Sequence, residues 1–140
     1  MRRSNVIRIL PALLALALVP AAGATTTLSQ GERSLLAAVN DVRAAHDLRP
    51  LRVDPRLVSA AECARLAHHG AKGPAFGENL AWGTGALASA QSMVRSWLDS
   101  PGHRANLLRP GWTRIGVGLR VGSVLGYDGA TVVTADFAGG

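Results

Sequence analysis

The chain has 140 residues, 48% of them apolar, with 15 Lys and Arg, 9 Asp and Glu and a single Cys. That length holds one domain and excludes a multi-domain enzyme, and a lone Cys excludes an internal disulfide. The arginines are scattered, with no basic run or interleaved aromatics, so a nucleic-acid binder is not expected.

The first 24 residues read as an export signal. Arg2, Arg3 and Arg8 lead into an uncharged apolar stretch from Ile9 to Ala22, and Ala22-Gly23-Ala24 supplies the small residues of a signal-peptidase site. The stretch is shorter than the roughly 20 residues a membrane-spanning helix needs, and no later segment is a better candidate, so no membrane span is expected. Cys63 is far from the cleavage point, which leaves no new N-terminal Cys for a lipid anchor. Cleavage after Ala24 removes three arginines and no acid, so the formal net charge falls from +6 to +3. Residues 1–24 are expected to be signal peptide and residues 25–140 a single secreted domain.

Ser29-Gln30-Gly31-Glu32 has the spacing of a capping box. Leu35, Leu36, Val39, Val42 and His46 follow on one face at helical period, which predicts a first helix from about Gln30 to His46. Asp54 before Pro55 starts a second helix, whose stripe of Leu57, Ala61, Ala64 and His68 runs on to Gly70. The glycine-rich stretch from Gly70 to Gly85, with Pro74 inside it, reads as an irregular, partly extended segment and a functional loop around Phe76-Gly77-Glu78-Asn79-Leu80-Ala81-Trp82-Gly83. Leu87, Ala90, Val94 and Trp97 predict a third helix ending near Asp99. Ser100-Pro101 caps a short fourth helix with His103 in its first turn. Beyond Pro110 the period becomes two: Ile115, Val117, Leu119 and Val121 alternate with Gly116, Gly118 and Arg120 in a strand. The β-branched run from Thr131 to Phe137 is its antiparallel partner.

Few residues carry chemistry. Gly83-Thr84-Gly85-Ala86-Leu87-Ala88 matches the glycine spacing of a dinucleotide loop, but no βαβ unit surrounds it and the match is by chance. Neither Gly-x-Ser-x-Gly nor His-Glu-x-x-His is present. Cys63 lies off the stripe that carries His68 and reads as structural. His68 faces inward on that stripe, whereas His69, about 100° round the helix, meets solvent. His103 stands at a helix N-terminus, where the dipole favours the neutral, metal-competent ring, and Glu78 is its candidate partner. Asn79 and Trp82 are expected to be structural, the amide tying loop backbone across the cavity and the ring walling it.

Gly77-Glu78-Asn79-Leu80-Ala81-Trp82-Gly83, then Trp97, then Ser100-Pro101-Gly102-His103-Arg104-Ala105-Asn106, resembles the CAP superfamily of cysteine-rich secretory proteins, antigen 5 and pathogenesis-related proteins, in its short bacterial form. The likeness runs from about Ser29 to Phe137 and takes in Leu48-Arg49-Pro50-Leu51, Ile115-Gly116-Val117-Gly118 and Asp136-Phe137. It implies an α+β fold, a three-layer α-β-α sandwich with a small antiparallel sheet, in which the segment around Glu78 is a candidate third strand. It also implies a central cavity of two histidines and two acids that in some members binds a divalent cation. His68 matches the first histidine, with His69 as its neighbouring alternative, Glu78 the acid of the glycine-containing motif and His103 the second histidine. The second acid normally falls three residues after the Trp, where this chain has Ser100, with Asp99 adjacent.

Three functions follow from these residues. The leading one is a secreted module that holds a cation, Zn²⁺ in weak association, and binds a small ligand, a lipid or a protein. A metal-assisted hydrolase is the alternative, because two imidazoles and one carboxylate leave a fourth position on Zn²⁺ for an activated water. A structural or interaction domain organised by buried polar groups is the third. Turnover would identify the second, metal affinity without turnover the first, and no metal affinity the third.

Overall fold

The computed structural model describes residues 26–62 and 76–139. The expectations for residues 1–24, for Cys63, His68 and His69, and for the end of the second helix at Gly70 lie outside those residues.

The capping box forms as read. Ser29 Oγ accepts from the Glu32 N–H at 3.3 Å and Glu32 Oε2 accepts from the Ser29 N–H at 2.7 Å, which starts α1 (Gln30–Ala44). The helix ends two residues short of His46, in a turn that closes with Asp47 in the left-handed region. A two-residue strand, β1 (Arg52–Val53), precedes α2 (Pro55–Glu62), at whose start Asp54 Oδ1 accepts from the Arg56 N–H at 3.0 Å. β2 (Phe76–Gly83) follows. A single 3₁₀ turn (Gly85–Ala88), α3 (Ala90–Asp99), α4 (Pro101–Leu107), β3 (Trp112–Val124) and β4 (Tyr127–Gly139) complete the order.

Two expectations need correction. The segment around Glu78 is the further strand that the resemblance made it a candidate for, and not the irregular loop its glycines suggested: β2 pairs along its whole length with β4, from Phe76 opposite Ala138 to Gly83 opposite Thr131. Its glycines answer to crowding. A Cβ on Gly77 would come within 2.9 Å of the Trp112 ring and 3.1 Å of the Asn106 amide, and one on Gly83 within 2.6 Å of the Leu87 carbonyl. The sheet is also not purely antiparallel. Its order is β1-β3-β4-β2, and β1 runs parallel to β3. The β3–β4 hairpin is longer than the alternation suggested, because pairing continues out to a two-residue turn at Leu125-Gly126. Both of those residues have positive φ (49° and 86°), the twist that suits a tight hairpin.

Strand alternation divides the side chains between two layers. Ile115, Val117, Val133, Ala135 and Phe137 point to one face and form the main core with Leu35 and Val39 of α1, Met93, Val94 and Trp97 of α3, and Leu107 of α4. Trp112 stacks on Phe137 with centroids 6.1 Å apart, and the Arg109 guanidinium lies 4.6 Å from the Trp112 ring. The fully buried Arg43 fastens α1 to the end of α4, donating to the carbonyls of Arg49, Leu107 and Arg109 at 3.1, 2.9 and 3.1 Å. Helix α2 covers the other face, and its closest approach is at Gly116, where a Cβ would sit 2.0 Å from the Leu57 carbonyl carbon. Helix, sheet and helix thus stack in three layers. Gly116→Ala is expected to push α2 off the sheet and lower unfolding stability by about 2 kcal/mol or more, measurable as a reduced urea midpoint. An unchanged midpoint would mean that α2 shifts without loss.

Candidate functional site

Because successive side chains leave a strand on opposite faces, Glu78 and Asn79 have different surroundings. Asn79 is fully buried and faces α4. Its Nδ2 donates to the His103 carbonyl at 2.9 Å. Asn106 Nδ2 donates in turn to the Glu78 carbonyl at 3.0 Å and to Asn79 Oδ1 at 3.2 Å, and Trp112 Nε1 donates to the Asn106 carbonyl at 2.8 Å. From α3, Trp97 Nε1 donates to the Leu80 carbonyl at 3.2 Å. The Asn79 amide is therefore occupied by backbone and by Asn106.

Glu78 emerges on the α2 side, directly opposite Asp136 of β4, and Asp136 lies directly opposite Gly116 of β3. Asp136 is fully buried, and neither of its oxygens, nor Glu78 Oε2, has a hydrogen-bond donor among the described residues. Burial pushes the Asp136 carboxyl up from its ordinary 3.8 to about 7, and the negative charge of the adjacent Glu78 adds to the rise. The nearby strand cation, Arg114, is held by Asp54 at 2.8 Å.

His103 is half-buried, and its Nδ1 lies 2.8 Å from Ser100 Oγ. Ser100, in the place where the resemblance puts a second acid, thus orients the imidazole, and its hydroxyl makes no cap bond to the seven-residue α4. When Nδ1–H donates to that hydroxyl, Nε2 carries the lone pair that a metal takes. Asp99 is exposed at the end of α3. Trp82 does not wall an enclosed cavity. It is 38% exposed and tilts against Tyr127 at 5.6 Å, four residues along the same face from Glu78.

Of the expected site residues, the structure links His103 to the strand of Glu78 through Asn79 and Asn106, with no ion pair between ring and carboxylate among the described residues. The group it does bring against Glu78 is Asp136, which the sequence reading passed over as a site residue. A signal was present. Thr131-Val132-Val133-Thr134-Ala135-Asp136-Phe137 is a β-branched, apolar run in which an Asp is out of place, and such a residue inside a strand is more often functional than decorative. Among the described residues, no three of His, Cys, Asp and Glu gather closely enough to hold a metal ion.

A sequence model of the cysteine-rich secretory protein family, CAP, matches residues 36–137. The uncharacterized protein YkwD of Bacillus subtilis is 26% identical over 117 residues, covering 68% of this chain and 44% of that protein. An extracellular protein of Bacillus anthracis containing an SCP domain superposes with a TM-score of 0.60 at 21% identity, over 83% of this chain and 45% of that one. An outer surface protein of Borrelia burgdorferi superposes with a TM-score of 0.61 at 17% identity, over 81% and 96%. This chain spans less than half the length of the two Bacillus relatives. The structural likenesses, at these identities, establish the fold. Among the described residues no helix is long and apolar enough to cross a membrane.

Since the Asp136 carboxyl titrates near 3.8 in an unfolded chain and at about 7 in the native one, the native state holds an extra proton between those values. Its contribution to stability therefore falls as pH rises through that window. Asp136→Asn is expected to flatten this fall, read from urea midpoints at about pH 5 and about pH 8. A pH dependence equal to that of the wild type would assign the slope to other groups.

Proposed function

Because the chain belongs to the CAP family, we propose that it acts outside the cytoplasm, after removal of residues 1–24, as a binding module whose cavity holds a divalent cation, Zn²⁺ foremost, through His68, Glu78 and His103. The observation that carries this reading is the buried Glu78 Oε2, which has no donor among the described residues. A buried carboxylate oxygen left without a partner is costly, and a cation offsets that cost more fully than any neutral donor. The donor set suits the ion as well: neutral imidazole and carboxylate are ordinary Zn²⁺ ligands. When bound, the cation supplies a Lewis-acidic point of attachment for an anionic or carbonyl oxygen.

The chain's own residues supply the rest. Asn79 and Asn106 fix the strand that presents Glu78, and Ser100 turns His103 so that one ring nitrogen is left for a ligand. His68, which lies between Glu62 and Phe76 in sequence, is the second imidazole of this reading. The occupant of the loaded cavity is a small ligand, a lipid or a protein partner. Export is supported by the charged start, the apolar run and the small-residue site at Ala22-Gly23-Ala24, and it agrees with relatives described as extracellular or outer-surface proteins.

Calorimetric titration with Zn²⁺ tests the site. His68→Ala and His103→Ala are expected to abolish binding and His69→Ala to leave it intact, with affinity falling below about pH 6 as the imidazoles protonate. Binding unchanged in both His68→Ala and His103→Ala would overturn the assignment. Export is tested separately by intact mass: the secreted protein should begin at Thr25, and a membrane-embedded species still carrying residues 1–24 would refute cleavage.

A further inference from the structure

We infer that the outer edge of β3, from Leu119 to Ser123, is a self-association surface. Two copies of this chain join there by antiparallel strand pairing about a two-fold axis at Val121, which continues the four-stranded sheet from one molecule into the next. The inference is independent of the cation reading.

Three observations carry it. The first is that the sheet is closed at one edge and open at the other. At the β2 edge the carbonyls of Glu78 and Leu80 are taken by the side chains of Asn106 and Trp97. At the opposite edge β1 pairs with Arg114 and Ile115 alone, whereas β3 runs on to Val124. The Ile115 carbonyl accepts from the Asp54 N–H at 2.9 Å and so points away from β4. Strand backbone alternates, which turns the N–H and C=O groups of Val117, Leu119, Val121 and Ser123 the same way. Among the described residues none of these later groups has a hydrogen-bond partner. The second is exposure. Val121, Gly122 and Ser123 are exposed, Val121 to 67%, and so are Leu125 and Tyr127 of the same hairpin. Proteins ordinarily blunt such an edge with Lys or Pro, and neither occurs between Gly116 and Val124. The third is self-complementarity, which selects a second copy over a foreign strand. With the axis at Val121, that residue meets its own equivalent in an apolar pair. Leu119 then lies opposite Ser123, and Arg120 lies opposite Gly122 rather than opposite a second arginine. In that register Leu119, Val121 and Ser123 each exchange both main-chain hydrogen bonds with their counterparts. An interface this short falls below about 1,200 Å², so the dimer is weak and concentration-dependent.

Sedimentation velocity at protein concentrations from about 1 μM to about 1 mM, the range in which weak pairs form, is expected to show the wild type passing from monomer to dimer. Val121→Pro removes an outward N–H but no bond to β4, so the variant is expected to fold and to weaken the dimer by about tenfold or more. Leu125→Ser removes the side chain that is 85% exposed at the hairpin turn without touching the edge, and it is expected to leave the dimer intact. Should Val121→Pro fail to fold, Val121→Lys carries the same comparison by setting like charges against each other at the axis. A wild type that stays monomeric throughout refutes the inference. A folded variant at position 121 that dimerises as the wild type does also refutes it. A loss in Leu125→Ser as large as the loss at position 121 would assign the association to apolar contact at the hairpin turn and overturn the edge pairing.

Discussion

The site depends on how an edge strand is held. β2 pairs with β4 on one side only, so its outward backbone carbonyls must find donors elsewhere or remain open to another chain. They find them in side chains: the Glu78 carbonyl in Asn106 and the Leu80 carbonyl in Trp97. Asn79 completes the clasp by reaching back to the His103 carbonyl. These few bonds close the sheet edge against the helical layer, and they fix the height at which Glu78 leaves the other face. The motif Gly77-Glu78-Asn79 is thus one device with two outlets, an amide facing α4 and a carboxylate facing the α2 side. The glycine matters equally, since any side chain there would collide with Trp112 and Asn106.

Much of this was legible in the sequence because it is local. The capping box at Ser29 and Glu32, the alternation from Ile115 to Val121 and the Ser100-Pro101 helix start depend on residues within a few positions of one another, and each forms. What was misread depends on distant partners. Gly77 and Gly83 look like loop residues until the ring, amide and carbonyl that crowd them are known, and those come from α4, β3 and the 3₁₀ turn. Asp136 next to Phe137 reads as the end of a strand. Its significance appears only when register sets it opposite Glu78, more than fifty residues earlier in the chain. The parallel pairing of β1 was invisible for a simpler reason, since two residues carry no periodicity.

The two faces of the sheet follow different rules. The face toward α1, α3 and α4 is a conventional apolar core in which Arg43 has three carbonyl partners. The face toward α2 carries two acids at its centre and glycine beside them. Sequence-level consistency holds on the first and breaks on the second, where the acids have no donor among the described residues.

The tight turn at Leu125-Gly126 has a consequence for the order in which the molecule assembles. It joins two thirteen-residue strands that are neighbours along the chain, and pairing of that kind closes on the microsecond scale. β2 has to reach β4 with two helices intervening, and loop entropy delays such contacts. The hairpin therefore serves as a template that exists before the edge strand arrives, and Asp136 waits on it alone, solvated and unstrained. Docking of β2 on one side and of α2 over the face turns it into a buried acid, so the electrostatic tension of this fold belongs to the long-range contacts and not to the hairpin itself.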